Sequence, residues 1–190
     1  QSAPQSAAHA AALYDAAATL IGLKDWDAAA QALESFRRSF PKHALTAEAG
    51  SKLAAIYLEQ RRWGLAASEF ERIAATQTDA RLARESLWQA AELYEKAGSR
   101  DNAARVYTQY ARQHPEPFER NLEARWRVVQ GLKAGVQTPA TAAREAALLR
   151  EIRDADLRAG AARTDRTRAI GGLAALALTQ PLLDDYRKVA

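Results

Sequence analysis

The sequence predicts an all-α protein, an α-solenoid of antiparallel helix hairpins that repeats about every 37 residues. Three observations predict this class. Landmark residues recur at a fixed period, alanine dominates the hydrophobic 48% of the chain, and glycine or proline stands at the breaks between helical patterns. A fixed period of roughly 20 to 50 residues is the signature of repeats that stack because no unit can bury its apolar face alone. Alanine is the best helix former, so the predicted unit is helical.

The period is clearest in the large residues. Trp26 is followed by Trp63, and Tyr57 by Tyr94, each time 37 residues later. Smaller and larger positions keep the same spacing in two series, Ala29, Ala66 and Ala103, and Leu33, Phe70 and Tyr107. Small residues let two helices approach closely, so the first series predicts the contact inside each hairpin.

The helices of the array follow from apolar residues at three- and four-residue steps. The first runs from about Ala7 to Leu23, and Pro41 stops the second. Gly98 is predicted to close the fifth in a left-handed conformation, and Thr138-Pro139 to start the eighth. The second to eighth helices are predicted at Trp26–Ser39, Ala47–Gln60, Gly64–Thr76, Ala80–Ala97, Asp101–Gln113, Glu119–Ala134 and Pro139–Arg158.

The chain is predicted to divide into three parts. Residues 1–6 have the character of a linker remnant, residues 7–160 form the repeat array, and residues 161–190 form a C-terminal helical extension or cap. In the extension, Thr164-Asp165 is predicted to cap a helix through Leu178, after which Pro181 opens or kinks the last segment. The units of the array are predicted at about residues 10–43, 47–80 and 84–117, with a degenerate fourth at 121–158.

Composition narrows the classes of function. The 27 basic and 23 acidic residues are spread along the chain, whereas nucleic-acid binding generally needs a clustered basic stripe, so no nucleic-acid partner is expected. No apolar run reaches the ~18 residues of a membrane span. Cysteine is absent, and the histidines stand far apart near repeat ends, so neither a metal site nor a cofactor is predicted. The histidines are His9, His43 and His114.

The repeated residues resemble the tetratricopeptide repeat, a helix-turn-helix unit with small and large residues at set positions. The small residue and the large residue of the first helix are Ala17 with Leu20, Ala54 with Tyr57, and Ala91 with Tyr94. Ala29, Ala66 and Ala103 supply the small position of the second helix, and Pro41 and Pro115 the closing proline, where Thr78 occupies the middle place. In the fourth unit Gly131 stands where an aromatic is expected, and Arg144 where a large apolar residue is expected.

The three additional residues per period resemble the repeat proteins of the bacterial cell envelope, of the BamD and CpoB type. Phe40-Pro41-Lys42-His43 before a new alanine-rich helix carries that resemblance. It implies a periplasmic or outer-membrane-associated protein, with the cytoplasm as the alternative location.

No catalytic arrangement is recognisable, so an enzyme is not expected. Glu92 and Glu95 lie three apart on one helix without a companion group, and Ile170-Gly171-Gly172-Leu173 lacks the lysine of a phosphate loop. The tetratricopeptide resemblance instead implies a concave groove lined by the first helix of each hairpin. The residues predicted to bind a partner there are Tyr14, Asp15, Lys52, Glu59, Trp88, Gln89, Glu92, Lys96 and Arg125.

Trp88 is the strongest candidate among them, because aromatic anchors flanked by charges are the usual hot spots of interfaces. The alternative is that Trp88 packs against the neighbouring repeat, and Trp126 is equally open between these roles. For Trp26 and Trp63, packing is expected.

The sequence thus predicts a non-catalytic scaffold that binds a protein or peptide segment in its groove, within a bacterial envelope complex. Two alternatives stay open. One is the helical accessory region of a larger enzyme, such as a lytic transglycosylase. The other is a self-assembly module, a homo-oligomer formed through the C-terminal helices around Ile170–Leu178, because that apolar segment needs cover.

Overall fold

The structure is a computed structural model that describes residues 4–189, with side chains from residue 8 onward except at 182, 184, 185, 188 and 189. Within that range the chain forms nine α-helices and one 3-10 turn, and no β-strand. The predicted all-α class of helix hairpins, of the α-solenoid type, is confirmed. The helices are α1 (Pro4–Gly22), α2 (Trp26–Ser39), α3 (Thr46–Glu59), α4 (Trp63–Thr76), α5 (Ala80–Lys96), α6 (Arg100–Gln113), α7 (Phe118–Ala134), α8 (Pro139–Arg158) and α9 (Asp165–Val189).

Two helix ends differ from the sequence prediction by more than one residue. α1 begins at Pro4, inside the stretch assigned to a linker, since proline is tolerated in a first turn where its missing N–H has no partner. α9 continues through Pro181 to Val189 instead of ending at Leu178. The proline removes one backbone hydrogen bond without ending the helix. Residues 1–3 of the predicted linker lie outside the described residues.

The chain forms two compact units, residues 1–99 and 100–190. Unit 1 contains α1 to α5, and its sequential neighbours pack on one another, α1 on α2, α2 on α3, α3 on α4 and α4 on α5. The small residues predicted for close helix contact are buried, namely Ala17, Ala29, Ala54, Ala66 and Ala91. Larger side chains fill the core between them, among them Leu33, Phe36, Leu53 and Tyr57.

Local signals fix the helix ends of unit 1. The Asp79 carboxylate accepts hydrogen bonds from the backbone N–H groups of Arg81 and Leu82, at 2.8 and 3.0 Å. Gly98 has a φ of 70°, which confirms the predicted left-handed end of α5. In that conformation the backbone N–H of Ser99 donates to the carbonyl oxygen of Tyr94 at 2.9 Å.

Unit 2 contains α6 to α9, with α6 on α7, α7 on α8, and α9 on both α8 and α7. The buried Asn121 amide donates to the carbonyl oxygens of Ala111 and His114, at 2.6 and 2.8 Å, which ties the start of α7 to the end of α6. Thr138 caps α8 with Pro139 in its first turn, as predicted. The division at residues 160 and 161 stays a prediction.

The C-terminal helix completes the core of unit 2. Ile170 and Ala174 of α9 are buried with Leu122 and Val129 of α7, and Trp126 packs against this cluster. In the turn before α9, the Thr164 hydroxyl accepts from the backbone N–H of Thr167 at 3.2 Å, which confirms the predicted cap. The remaining buried members of the cluster are Leu149 and Ile152 of α8.

Candidate functional site

The first helices of the hairpins position the predicted partner-binding residues. Eight of the nine lie in unit 1, on α1, α3 and α5, and Arg125 lies in unit 2, on α7. Lys52 and Glu59 of α3 are seven residues apart, and Trp88, Glu92 and Lys96 of α5 follow four-residue steps, so on each of these two helices they share one face. The eight are Tyr14 and Asp15, Lys52 and Glu59, and Trp88, Gln89, Glu92 and Lys96.

The structure brings Tyr14 and Lys52 together. The Lys52 ammonium lies 5.8 Å from the centre of the Tyr14 ring, a cation–π contact between α1 and α3. The same ammonium lies 3.5 Å from a carboxylate oxygen of Glu48, one turn earlier on α3. Burial raises the pKa of the Tyr14 hydroxyl above its ordinary value, so this group stays protonated at neutral pH. Lysine, carboxylate and neutral phenol thus form one polar cluster across two first helices.

The other polar candidates remain accessible. Asp15, Glu59, Gln89 and Lys96 are exposed, and Glu92 is half-buried. The Lys96 ammonium lies 5.3 Å from the centre of the Trp63 ring, so its position is partly fixed by α4. Acidic and basic groups alternate over these helices, a pattern that discriminates between partners by charge.

Trp88, for which the sequence left both a binding anchor and a packing role open, is buried. Its side chain is 6% exposed, so nearly all of its ring is covered by the protein itself. This agrees with the packing alternative. A ring with so little accessible surface contributes to the stability of α5 and offers a partner little contact area.

Arg125 of α7 pairs with Glu151 of α8, at 3.7 Å between nitrogen and carboxylate oxygen. The pair links two helices of unit 2, and the guanidinium remains half-buried.

The other tryptophans, Trp26, Trp63 and Trp126, are half-buried. Packing accounts for Trp126, which contacts the C-terminal core cluster.

Sequence reasoning missed a charged cavity in unit 1. A cavity of about 460 Å³ opens between the α2–α3 turn and α4, and Arg37, Glu69 and Arg72 are in its lining. Glu69 is buried, and Arg37 donates to it at 2.5 Å. A glutamate at a surface position of a helical pattern carries no sign of burial.

No three histidine, cysteine, aspartate or glutamate side chains converge as metal ligands among the side chains that the structure describes. The three histidines contact aromatic rings instead: His9 contacts Phe40, His43 contacts Phe36, and His114 contacts Tyr110, at ring distances of 5.1 to 5.6 Å. No described helix is both long enough and apolar enough to cross a bilayer.

Comparison with known proteins agrees with this geometry. Two segments match the family model described as the tetratricopeptide repeat, residues 11–43 and 85–117. They fall on the first and third predicted units and together cover less than half of the chain. No curated protein sequence matches it. Residues 11–43 and 85–117 are therefore similar to tetratricopeptide repeats.

Proposed function

We propose that this chain is a non-catalytic scaffold of a bacterial cell-envelope complex, and that it binds a protein segment along its first helices α1, α3 and α5. The observation that carries the proposal is the tetratricopeptide match, since such repeats generally mediate protein–protein interactions. Their stacked units create extended surfaces for partners. The all-helical fold is typical of such non-catalytic modules.

The mechanism we propose is recognition without chemistry. Asp15, Lys52, Glu59, Gln89 and Lys96 present charges and one amide on ordered helices, and the partner supplies the complementary groups. Because the helices are ordered before binding, most of the ordering cost falls on the partner segment. Trp88 does not contact the partner in this mechanism.

The envelope location rests on the 37-residue period, which resembles the BamD and CpoB type of repeat protein. If the chain is periplasmic or outer-membrane-associated, its partner is a protein of the same compartment. We propose a protein or peptide partner and no nucleic acid, since basic and acidic residues are interspersed.

The test is affinity capture from bacterial envelope extract and, in parallel, from cytosolic extract. The chain is compared with Lys96→Glu and with the matched control Arg38→Glu. Both residues are exposed lysine or arginine in the last turn of a helix, α5 and α2, so both changes alter net charge and helix dipole alike.

A protein captured from the envelope extract by the chain and the control, but lost with Lys96→Glu, supports the proposal. Equal capture by all three variants overturns the first-helix site. Capture from cytosol alone overturns the location, and no capture from either extract overturns the scaffold role.

Self-assembly is a second candidate, because α9 leaves large apolar side chains uncovered. Leu173 is 47% exposed and Leu176 is 60% exposed, and both lie on the face that also carries Leu183 and Tyr186. Uncovered apolar side chains of this kind favour a partner helix. If it joins two copies, sedimentation will show a mass that rises with concentration, and Leu176→Glu will abolish the rise. The control is Leu82→Glu, an exposed leucine of α5, which leaves self-association unchanged.

A further inference from the structure

A tyrosine–glutamate hydrogen bond recurs between consecutive hairpins of unit 1. The Tyr57 hydroxyl of α3 donates to the Glu34 carboxylate of α2, and the Tyr94 hydroxyl of α5 donates to Glu71 of α4, at 2.5 and 2.8 Å. Both pairs are 23 residues apart, and the tyrosines are 37 residues apart. The ring fills the space between a first helix and the second helix of the preceding hairpin.

One period later, both partners of this hydrogen bond are missing. Gly131 of α7 takes the place of the tyrosine, and Thr108 of α6 takes the place of the glutamate. A cavity of about 630 Å³ lies there, and both residues line it. A Cβ atom added to Gly131 would meet no atom within 4 Å, so the space above this glycine is open. The volume lies within the roughly 300–1,000 Å³ of ligand pockets.

A second residue that departs from the repeat pattern lines the same cavity. Arg144 of α8 stands at the position of Leu33 and Tyr107, both of which are buried in their own helices. Arg144 is exposed and lines the cavity with Gly131. The two changes that make the fourth unit degenerate therefore act together, because one opens the space and the other places a cation beside it.

The lining is strongly basic. Arg100, Arg105 and Arg112 of α6 join Arg144, against the single carboxylate of Asp101. Arg105 donates to the Asn102 side chain at 3.4 Å. Within the described part of the chain, Arg100, Arg112 and Arg144 form no ion pair, whereas other arginines of unit 2 do. Four arginines against one carboxylate favour an anionic ligand.

The cavity wall also has an apolar component. Ala104 and Leu132 line it, and the Thr108 hydroxyl, which donates to the Ala104 carbonyl at 2.7 Å, can still accept a hydrogen bond. Guanidinium groups stack on aromatic faces as well as pairing with carboxylates. A ligand that carries both an aromatic ring and carboxylates matches the arginines and the apolar wall. The vacated place is that of a tyrosine side chain in the preceding units, which favours an aromatic amino acid over a nucleobase.

We propose that this cavity, lined by α6, α7 and α8 of unit 2, binds an acidic peptide segment with one aromatic side chain. The ring occupies the place that the absent tyrosine leaves, and the flanking carboxylates pair with Arg100, Arg112 and Arg144. The site uses none of the first-helix residues of unit 1, so it can be tested independently of the binding surface proposed above.

The decisive variant is Gly131→Tyr, which places the repeat's own ring in the cavity. Its matched control is Gly131→Ala, which removes the same helix-weakening glycine and leaves the cavity open. A second pair tests the charge. Arg144→Glu reverses a cavity cation, and Arg150→Glu reverses an exposed arginine of the same helix outside the lining. Circular dichroism melts establish that all four variants are folded.

The probe is an array of synthetic heptapeptides with tyrosine, phenylalanine, tryptophan or alanine at the centre. The flanks are aspartate and glutamate, asparagine and glutamine, or lysine. Fluorescence anisotropy then measures the affinity of the best peptide, with a fluorescent single-stranded oligonucleotide as a parallel probe. We expect selection of acidic flanks around an aromatic centre, and an affinity that falls with added salt.

With Gly131→Tyr or Arg144→Glu, we expect the best peptide to bind at least about tenfold more weakly, while both controls bind like the original chain. Three results would overturn the proposal: no preference for acidic peptides with an aromatic centre, unchanged affinity with Gly131→Tyr, or binding of the oligonucleotide in place of the peptide. The last would assign the cavity to nucleic acid.

Discussion

Buried carboxylates in this protein are matched with arginine. Asp156 of α8 is buried and receives two hydrogen bonds from Arg163, at 3.1 and 2.7 Å, and Glu69 of α4 is buried against Arg37. Burying an ionised carboxylate costs several kcal/mol of folding free energy unless the carboxylate is paired and hydrogen-bonded. Each arginine therefore offsets the cost of burying its carboxylate partner. The two pairs join elements within their own units.

Removal of the Arg37 guanidinium will destabilise the protein. Arg37→Met keeps much of the aliphatic stem but leaves the buried Glu69 with only Arg72, at 3.8 Å. We expect the free energy of unfolding to fall by roughly 1–3 kcal/mol, measured by urea denaturation. Arg38→Met, at an exposed neighbouring position, should change it by less than about 0.5 kcal/mol. Equal effects of the two changes would contradict this account.

Two adjacent glycines of α9 will respond in opposite directions to alanine. A Cβ atom at Gly171 would lie 2.7 to 2.9 Å from three atoms of Asp156, whereas one at Gly172 would meet nothing within 4 Å. Gly171→Ala should therefore lower the stability by roughly 1–3 kcal/mol through overpacking. Gly172→Ala should raise it by about 0.5–1 kcal/mol, since alanine favours the helix. Thermal melts of both variants test this, and a gain from Gly171→Ala would refute the close packing.

At the scale of the element, side-chain caps define where helices begin. Asp25, Asp79, Thr138 and Thr164 each accept a hydrogen bond from a backbone N–H that has no partner within its helix. Such residues interrupt the apolar pattern at hairpin turns. Their short side chains act within three residues along the chain, so the caps form by local geometry alone.

The cap of α5 will make the stability of unit 1 depend on pH. Backbone hydrogen bonds from Leu82 and Arg81 lower the pKa of Asp79 from its usual 3.8. Since the folded pKa lies below the unfolded one, the contribution of the charged cap is complete above about pH 5 and is lost as the pH falls through the folded pKa. Asp79→Asn keeps a capping side chain that does not titrate.

The measurement is the difference in melting temperature between the chain and Asp79→Asn across pH 2 to 7. We expect a constant difference above about pH 5 and a progressive change in favour of the asparagine variant below it. Asp79→Ala should lower the melting temperature at neutral pH. A difference that is flat over the whole range would show that the charge of Asp79 has no influence on the fold.

Burial is uneven over the whole molecule. Helix α3 packs on both α2 and α4 and buries Leu53, Ile56 and Tyr57. In α1, which packs on α2, the buried residues among its described side chains are Ala10 and Ala17, both small. In repeat proteins each unit gains stability from its neighbours, so a helix with fewer packed neighbours opens more readily.

Hydrogen exchange will show this difference in local stability between α1 and α3. In the 190-residue chain we expect amides of α1 to exchange at least about tenfold faster than those of α3, because local opening exposes less apolar surface in α1. Mass spectrometry of peptic peptides at neutral pH measures both. Uniform protection of α1 and α3 would mean that unit 1 opens only as a whole.

Much of this fold could be predicted from the sequence, because its signals are local. Helix α2 runs from Trp26 to Ser39 as predicted, and α8 from Pro139 to Arg158, since apolar spacing, caps and breakers act within a few residues. The 37-residue period predicted the hairpins and the positions of small residues. The end of α9 was less predictable, because a proline stops a helix only when nothing else supports the turns around it.

The sequence by itself determined the helices and their period, and it predicted the class of binding function. Tertiary structure decided which side chains are available for binding. Trp88 is covered, Lys52 meets Tyr14 and Glu48, and Glu69 is buried. The open space beside Gly131 is likewise a consequence of the tertiary structure. The physical reason is that a helical pattern fixes the direction of a side chain from its own helix, whereas burial and charge pairing depend on residues that other helices bring alongside.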